Sequence, residues 1–444
     1  MKKDLTLDTI VSLAKRRGFV FPGSEIYGGL AGTFDYGPLG VALKNNIKQL
    51  WWRMFVEERD DMYGVEASIL MNPRVWEASG HVAGFSDPLV ECSACKKRFR
   101  ADHLESLDTC PSCEKKGTLG EPRQFNMMFS TKAGAMEDES AVVYLRPETA
   151  AGMFVNFKNV IDAHHPKLPF GLAQIGKAFR NEIAPRDFIF RLRELEQMEV
   201  EYFVKEEDWE RAFAEWEGIM KDFAKRIGLP DECFYPTEIE AGDLAHYSKR
   251  TIDFEFEYPF GRKELWGLAY RTNFDLSAHE KGSSQNLSYI DETTGERTIP
   301  HVIEPSLGVE RTFLAVLLSA YDEDELGGET RSVLRLPPVV APIKAMVSPL
   351  LKNKPELVEK AKEVRKMLRT VHPAIAWDDN GNIGKRYRRQ DEIGTPFCIT
   401  IDFDTLGENP ELLDTVTLRH RDTGEQERVT IEEVKQRIQA SLSF

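Results

Sequence analysis

The chain of 444 residues contains no apolar run that approaches the roughly 18 residues needed to span a bilayer. Its first twenty residues mix charged and apolar side chains at helical spacing, a pattern unlike that of a signal peptide. No internal repeat or low-complexity segment is present. These absences predict a globular protein with a cytoplasmic location, and the length predicts two or three domains.

Basic residues are in the minority, with 58 Lys and Arg against 73 Asp and Glu and a formal net charge of -15. Total charge of this sign argues against a nucleic-acid partner. RNA binding needs only a local basic surface, however, and Lys385, Arg386, Arg388 and Arg389 surround Tyr387. We therefore predict an RNA contact at residues 385–389, with a solvated helix face as the alternative.

Cysteine is scarce, and four of the six cysteines form two pairs, Cys92-x2-Cys95 and Cys110-x2-Cys113. Two such pairs can place four thiolates around one tetrahedral zinc ion. The alternative is four unrelated buried thiols. We predict a structural zinc site in a ribbon-like insertion at about residues 90–117, in which metal binding supplies much of the folding energy.

The stretch from Phe170 to Phe203 contains two strand-like runs separated by a polar loop around Pro185. Strand alternation predicts that Arg180 and Glu182 share one face of the first strand. The second strand would carry a mixed charged face made of Arg191, Arg193, Leu195, Gln197, Glu199 and Glu201. Such a face suits a ligand with both anionic and cationic groups, and the alternative is a solvated outer face.

Two short motifs in this part of the sequence and near residue 310 resemble those of a known protein family. Phe179-Arg180-Asn181-Glu182 resembles motif 2 of the class II aminoacyl-tRNA synthetases, and Gly308-Val309-Glu310-Arg311 resembles motif 3. The helix predicted from Leu39 to Glu58 lies where the family has motif 1. Over essentially its whole length, the chain resembles the homodimeric type of glycyl-tRNA synthetase.

The resemblance implies an α+β catalytic core, in which helices flank an antiparallel sheet, over residues 1–335. An α/β anticodon-binding domain would follow over residues 340–444. It also implies a homodimer with the surface from Tyr36 to Phe55 at the interface, and the partners tRNA(Gly), glycine and ATP. The expected reaction is ATP-dependent activation of glycine to glycyl-adenylate, followed by transfer to the 3' end of the tRNA.

Arg180 and Arg311 would be the catalytic residues, and magnesium would bridge the ATP phosphates with Glu264 as a candidate ligand. The class II enzymes usually carry Phe where this chain has Leu195, which predicts weaker stacking on adenine. The resemblance implies ATP contacts at Arg180, Asn181, Glu182, Phe190, Arg191, Leu192, Arg193, Glu194, Leu195, Glu264, Leu265, Gly308, Val309, Glu310 and Arg311.

For glycine, the resemblance implies three carboxylates around the ammonium group, Glu148, Glu199 and Glu304, and crowding by Ser306 that excludes a side chain. The full set of implied glycine contacts is Arg100, Glu148, Leu195, Glu196, Gln197, Met198, Glu199, Glu304, Pro305, Ser306, Leu307 and Gly308. His81 is expected to be a structural histidine.

A second hypothesis is a catalytically silent, synthetase-like RNA-binding or accessory protein. Loss of the charged positions would distinguish it from an active ligase. The sequence retains all six of these positions, which favours the ligase: Glu148, Arg180, Glu182, Glu199, Glu304 and Arg311.

Overall fold

A computed structural model describes residues 5–135 and 141–442, so the outermost residues of the two predicted domains lie outside the described part. No helix within the described ranges has the length and apolar character needed to cross a bilayer. The helices are α1 (Leu7–Arg17), α2 (Pro38–Trp52), α3 (Pro73–Ala78), α4 (His81–Gly84), α5 (Ala150–His164), α6 (Trp209–Arg226), α7 (Phe274–Ser283), α8 (Val309–Ala320), α9 (Pro355–Leu368), α10 (Ile383–Ile393) and α11 (Ile431–Leu442).

Eighteen strands precede the C-terminal part of the described chain. They are β1 (Val20–Pro22), β2 (Phe34–Tyr36), β3 (Met62–Gly64), β4 (Ser86–Glu91), β5 (Arg98–Arg100), β6 (Arg123–Asn126), β7 (Ser130–Lys132), β8 (Val142–Tyr144), β9 (Phe170–Phe179), β10 (Glu194–Val204), β11 (Phe234–Glu238), β12 (Arg250–Tyr258), β13 (Gly261–Thr272), β14 (Tyr289–Ile290), β15 (Arg297–Thr298), β16 (His301–Gly308), β17 (Tyr321–Leu326) and β18 (Glu329–Leu334).

A seven-stranded sheet with the order β11-β12-β13-β16-β10-β9-β3 organises the catalytic part. It is antiparallel except for β3, which runs parallel to β9. Met198, Val200 and Tyr202 of β10 pack into the core on the side of α2, α6 and α8. Phe203 packs on the other side, against α5 and α7. Because side chains alternate along a strand, residues 195, 197, 199 and 201 share the face of α5 and α7.

The paired strands around Pro185 are shorter than the sequence predicts. β9 ends at Phe179 and β10 begins at Glu194. Arg180 and Glu182 therefore lie beyond the first strand, and Arg191 and Arg193 precede the second. Pro305 and Gly308 also predict a turn from the sequence, but this prediction is wrong, because β16 continues to Gly308 and α8 begins at the next residue.

Helix α6 is more deeply buried than its composition predicts. Its acidic composition suggests a solvated surface helix, but Phe213, Trp216, Met220 and Phe223 are buried in the main core. These positions recur at intervals of three and four residues, which gives an amphipathic helix with one buried face.

The C-terminal part is an α/β unit, as predicted. Its strands are β19 (Ala345–Pro349), β20 (Ile375–Trp377), β21 (Phe397–Ile401), β22 (Thr415–His420) and β23 (Gln426–Thr430), and the sheet order is β20-β19-β21-β22-β23. Its own apolar cluster is formed by this sheet with α9 and α11. A reciprocal capping box begins α11, since Thr430 N donates to Glu433 (2.7 Å) and Glu433 N donates to Thr430 Oγ1 (3.2 Å).

Buried arginines connect the two parts. Arg331 donates to Asp391 of α10 (3.0 Å), and Arg421 donates to the carbonyl of Leu336 (2.8 Å). Both arginines are 3% exposed. A charged hydrogen bond removed from water is worth more than an exposed one, so these contacts fix the C-terminal unit against the catalytic part.

Candidate active site

A cavity of about 140 Å³ opens where the ends of β9 and β10 meet β13, β16 and the start of α8. Many of the residues predicted to bind ATP converge here although they come from separate parts of the chain. Its walls are Arg180, Glu182, Ile189, Phe190, Arg191, Leu192, Leu195, Gln197, Glu264, Leu265, Ser306, Gly308, Glu310 and Arg311. We refer to it as the nucleotide cavity.

Arg180 and Arg311 bring positive charge to the nucleotide cavity from two directions. Arg180 is anchored by one bond, from Nε to the carbonyl of Pro147 (3.0 Å). Arg311 lies in the first turn of α8 and contacts Glu264 Oε2 (3.1 Å). A guanidinium presents five donors, so each arginine retains N–H groups that can bind a phosphate.

The guanidinium of Arg311 lies 4.3 Å from the ring centre of Phe190. This aromatic ring lines the same cavity as Leu195, where the family usually has Phe. A planar cation over a ring is an attractive arrangement, and a flat base can occupy similar surroundings. Phe190 thus supplies an aromatic wall close to the position of the replaced phenylalanine.

Glu182 lies among cations at the same cavity. Burial raises the pKa of its carboxyl group, while Arg191 and Arg180 oppose that effect. The nearest guanidinium nitrogen, on Arg191, is 4.0 Å away. A carboxyl oxygen of Glu182 is buried without a hydrogen bond among the described residues, so it has capacity to accept one from a ligand.

Beyond Gln197, the same face of the sheet becomes acidic. Glu199 is 2% exposed and accepts hydrogen bonds from Gln197 Nε2 (2.7 Å), Ser306 Oγ (2.6 Å) and the backbone N–H of Thr149 (3.2 Å). Three neighbours from three elements therefore hold this carboxylate in one orientation.

A buried arginine forms the far wall of this acidic region. Arg271 makes a bidentate pair with Asp275 (2.8 Å for both bonds) and donates to Glu304 Oε1 (2.6 Å). The ring of Tyr247 lies 3.9 Å from its guanidinium carbon. Burial disfavours the charged form of Arg271, but Asp275 and Glu304 together raise its pKa.

Glu148 lies just before α5 and outside its first turn, because the helix begins at Ala150. Its Oε2 is 3.3 Å from His81 Nε2, whose other ring nitrogen is 2.8 Å from Ser79 Oγ. Burial acts to raise the pKa of Glu148, but His81, Arg271 and Arg180 lower it to about 2. The predicted structural role of His81 fits these two contacts, and its ring also positions Glu148.

Sequence reasoning missed three members of this region: Arg271, Asp275 and Tyr247. Strand alternation placed Glu201 on the correct face, where it is fully buried, but gave it no individual role. Arg271 and Asp275 are separated by the end of β13 and the start of α7, so no regular period relates them.

Some predicted glycine contacts face the other way. Met198 and Leu307 are buried in the core on the α2 side, and Pro305 alternates with Glu304 and Ser306. Glu196 pairs with Lys44 (2.9 Å) and Lys48 (3.0 Å) of α2. Their side chains cannot reach the acidic region, because neighbouring residues of a strand point to opposite faces.

Four predicted ATP contacts likewise lie outside the nucleotide cavity. Val309 is buried in the core, and Glu194 pairs with Lys177 at 2.8 Å. Arg193 donates to the carbonyls of Ala31 and Glu182, and the N–H of Asn181 donates to Met127. The contacts of Asn181 and Arg193 hold the loop between β9 and β10 in place.

Glu310 lines the cavity and also belongs to a buried network beneath it. Lys44 of α2 contacts Glu310 Oε1 (2.7 Å) and Glu196 Oε2 (2.9 Å), and Glu310 Oε2 accepts from the N–H of Glu196 (2.8 Å). One ammonium group therefore joins α2, β10 and α8. Helices α2 and α8 carry two of the three motif-like segments, and β10 pairs with β9, at whose end the third begins. We call this contact the Lys44 junction.

Arg100 ends strand β5 of the insertion and pairs with Asp87 (2.7 Å) and Asp102 (2.6 Å). It lies near enough to Glu182 for that carboxylate to contribute to raising the pKa of Arg100. Arg100 thus lies on the side of Glu182, outside the walls of the nucleotide cavity, and makes no described contact with Glu148, Glu199 or Glu304.

The insertion brings its four paired cysteines together. The Sγ atoms of Cys92, Cys95, Cys110 and Cys113 all lie within 4.8 Å of one another, and Cys92–Cys113 and Cys95–Cys110 are both 3.7 Å apart. Unrelated buried thiols would have no reason to cluster in this way, so the alternative is excluded.

The predicted RNA-binding cluster is largely structural. Arg386 is 2% exposed and donates to Ser348 Oγ (2.6 Å) and to the carbonyls of Asp379 (3.1 Å) and Gly381 (2.8 Å). Arg389 forms a bidentate pair with Asp378 (2.9 and 2.8 Å). The prediction that Arg386 forms part of an exposed basic surface is wrong, because helical periodicity turns it inward.

We expect Arg386→Gln to destabilise the C-terminal unit by about 2–4 kcal/mol, because several buried acceptors lose a charged donor. Lys385→Gln is the matched control, since Lys385 is next to Arg386 in the sequence but its own side chain is exposed. Urea unfolding of the full chain, followed by circular dichroism, compares the two. Equal midpoints for both variants would contradict the structural role.

The antiparallel sheet, the helices on its two faces, and Arg180 and Arg311 at the nucleotide cavity together define a class II aminoacyl-tRNA synthetase. The family model "tRNA synthetase class II core domain (G, H, P, S and T)" matches residues 129–321, and the model "Anticodon binding domain" matches residues 344–441. Both matches lie inside the domains predicted from the sequence.

Relatives that match the full length of the chain indicate which member of this class it resembles. The chain is 49% identical over 471 residues to the glycine–tRNA ligase of Caldanaerobacter subterraneus subsp. tengcongensis, with all of both chains covered. It is 51% identical over 452 residues to that of Streptomyces coelicolor, with 97% of each covered, and 48% identical over 472 residues to that of Alkaliphilus oremlandii. The chain belongs to the glycine–tRNA ligase family.

Proposed function

We propose that this chain joins glycine to tRNA(Gly) in an ATP-dependent reaction with a glycyl-adenylate intermediate. The observation that carries the proposal is the arrangement of charge along one face of the sheet. Arg180 and Arg311 border the nucleotide cavity, and Glu148, Glu199 and Glu304 lie directly beyond it. Phosphates fit the first region and an ammonium group fits the second.

In the first step, the carboxylate of glycine attacks the α-phosphorus of ATP and pyrophosphate leaves. Glycine held by its ammonium group in the acidic region directs its carboxylate toward the nucleotide cavity. Arg180 is placed to bind the oxygens of the reacting phosphate, where negative charge develops. Arg311 binds the nucleotide from the opposite wall, and Glu182 is available to accept a hydrogen bond from the adenine amino group.

Amino-acid choice rests on the space above Glu199. Ser306 donates to this carboxylate, and Gln197 and Thr149 contact it as well. A side chain on the substrate would have to displace such contacts, and the neighbours left unpaired would be buried polar groups. Exclusion of larger amino acids then requires no separate editing site.

Carboxylates at the edge of the nucleotide cavity suit magnesium, which prefers oxygen ligands. Glu264 lies there beside Arg311. Burial raises the pKa of nearby Asp253 to about 7, and the charges of Glu264 and Glu255 add to this effect. A bound divalent cation would neutralise the negative charge of these carboxylates together with that of the phosphates, and Glu264 is the predicted ligand.

The experiment is glycine-dependent ATP–pyrophosphate exchange measured with each of the twenty amino acids, together with charging of tRNA(Gly). Exchange with glycine alone and formation of glycyl-tRNA are expected. A silent RNA-binding relative would bind tRNA without exchange. Exchange with a different amino acid would contradict the assigned specificity.

We further propose a homodimer that uses α2 and its flanks, and tRNA contact by the C-terminal unit. In support, Val41 of α2 is 45% exposed, and the nearby loop exposes Ile26 (89%), Tyr27 (86%) and Leu30 (61%). Apolar side chains exposed together are typical of an interface. Lys385 and Arg388 remain candidates for tRNA contact, and the cytoplasmic location stays a prediction.

Zinc is the metal that we propose for the four cysteines. Zn–S bonds of about 2.3 Å in a tetrahedron place sulfur atoms about 3.8 Å apart, close to the two 3.7 Å separations. Four thiolates leave no open position, so the role would be structural.

We expect about one equivalent of zinc per chain by elemental analysis of the freshly purified protein. Replacing all four cysteines by serine should abolish zinc binding and unfold the insertion, which is then cleaved faster by protease. Cys398→Ser provides the control, because Cys398 is buried in the C-terminal unit and far from the cluster. Less than about a tenth of an equivalent in the unaltered protein would contradict the site.

A further inference from the structure

The acidic region contains more carboxyl groups than cations. Glu199 and Glu201 of β10, Glu304 of β16 and Asp275 of α7 lie around the guanidinium of Arg271 of β13, and each of these five side chains is buried. The charge of buried Arg146 also acts on Glu199, and that of Glu148 acts on Glu304. Such an excess of buried carboxylates over buried cations would be strongly unfavourable. Some of the carboxyl groups must therefore carry protons in the absence of a cationic ligand.

Glu201 and Glu304 are direct neighbours across two strands. The register pairs Glu199 with Ser306 and Tyr202 with Ile303, which sets Glu201 opposite Glu304. Side chains at opposed positions of an antiparallel pair are close enough to interact, and like charges there are destabilising. A shared proton removes this repulsion.

Hydrogen bonds from Arg271 do not remove the repulsion between Glu201 and Glu304. Its hydrogen bonds are made to Asp275 and Glu304. Neither carboxyl oxygen of Glu201 has a hydrogen-bond partner among the described residues, and both are buried. On the β9 side, Glu201 meets Leu172, which is apolar and buried. Glu201 thus lies opposite Glu304 and, among the described residues, accepts no hydrogen bond from a cation.

The pKa shifts of both groups follow from this geometry. Burial, reinforced by the charges of Glu304, Glu199 and Asp275, raises the pKa of Glu201 well above its ordinary value, with Arg271 opposing. Burial also raises the pKa of Glu304 to about 8, although Arg271 acts to lower it.

Resting on the proposed function, we propose that Glu201 and Glu304 share one proton in the free protein and that the ammonium group of glycine replaces it. The carboxyl O–H bond breaks, the proton leaves to solvent, and the ammonium group keeps its own protons. Glu201 is then a specificity-determining residue. It makes the region neutral enough to be stable without substrate and acidic enough to select an amine over an uncharged hydroxyl group.

Because glycine binding and proton release are coupled, the affinity for glycine should depend on pH. Binding that releases one proton tightens by up to about tenfold per pH unit below the pKa of the pair. Above the pKa of the pair the proton is already absent, so the affinity should stop rising. The pKa of Glu201 is raised well above its ordinary value and that of Glu304 to about 8. The affinity for glycine is therefore expected to increase with pH from about pH 6 to at least about pH 8.

The test is titration calorimetry of the full chain with glycine in phosphate and in Tris at one neutral pH. Because the two buffers differ in heat of ionisation, the difference in observed heat gives the number of protons released. The unaltered protein should release close to one proton. Glu201→Gln keeps the shape, cannot ionise and leaves Glu304 to pair with Arg271, so proton release and the pH slope should both disappear. Glu207→Gln, at an exposed position, should behave like the unaltered protein.

Glycine binding without proton release by the unaltered protein would overturn the inference, and so would unchanged release by Glu201→Gln. If Glu201→Gln fails to fold, the buffer comparison on the unaltered protein still decides. The Michaelis constant for glycine in the exchange assay over the same pH range is a second readout. Glycine-dependent exchange without proton release would refute this inference alone, whereas absence of exchange would refute the proposed function.

Discussion

Replacing Arg180 by alanine is expected to lower glycine-dependent ATP–pyrophosphate exchange by roughly thirty- to a few-thousand-fold, while the protein remains folded. Loss of one buried, hydrogen-bonded charge partner costs about 2–5 kcal/mol. The loss should fall mainly on kcat, because the phosphate oxygens gain negative charge in the transition state. The side chain of Arg180 makes a single described hydrogen bond to the protein, to the carbonyl of Pro147, so its removal leaves few neighbours unsatisfied.

Lys177→Ala is the matched control for this prediction. Lys177 lies near the end of β9, three residues before Arg180, and pairs with Glu194; the side chain of Lys177 is 40% exposed. Exposed pairs contribute little to stability, so this variant should exchange at nearly the normal rate. Near-normal exchange by Arg180→Ala, or an equal loss in both variants, would refute the role of Arg180.

The largest effect on stability is expected for Arg271→Met. This substitution removes the cation that pairs with Asp275 and Glu304, and the carboxyl groups that remain are buried. Breaking a buried ion pair by removing one partner costs about 3–5 kcal/mol. We expect a corresponding decrease in the free energy of unfolding at neutral pH, measured by urea titration, and a smaller decrease at acidic pH, where the carboxyl groups are protonated.

Arg262→Met serves as its control. Arg262 lies on the same strand and pairs with Glu255, but its side chain is 42% exposed. The cost should therefore be about 1 kcal/mol or less. If Arg271→Met proves no more destabilising than Arg262→Met, the acidic region does not depend on that guanidinium.

The order of strands and helices along the C-terminal part was predictable because its apolar residues alternate or recur with a regular period. The nucleotide cavity was predictable for a different reason. Its arginines lie in short motif-like segments whose meaning does not depend on exact strand limits. The limits themselves were not predictable, and Arg180 follows β9 instead of ending it.

The errors also have physical causes. Contiguous glycine contacts were expected along β10 and β16, but alternation turns Met198 and Leu307 into the core. The cluster of basic residues in α10 was expected to face solvent as a whole. Helical periodicity instead places Arg386 inside, together with Tyr387 and Gln390. Arg271 could not be found, since only the folded chain brings it to Glu304.

The Lys44 junction sets a constraint on redesign. Lys44 belongs to the helix that we propose for subunit contact, yet its ammonium group is 7% exposed and binds the carboxylates of Glu196 and Glu310. Each of these carboxylates is adjacent in sequence to a residue of the nucleotide cavity. A library that randomises α2 to obtain new assemblies should therefore keep Lys44 fixed and vary its exposed neighbours. Otherwise variants selected for altered assembly will also carry unintended changes in ATP affinity.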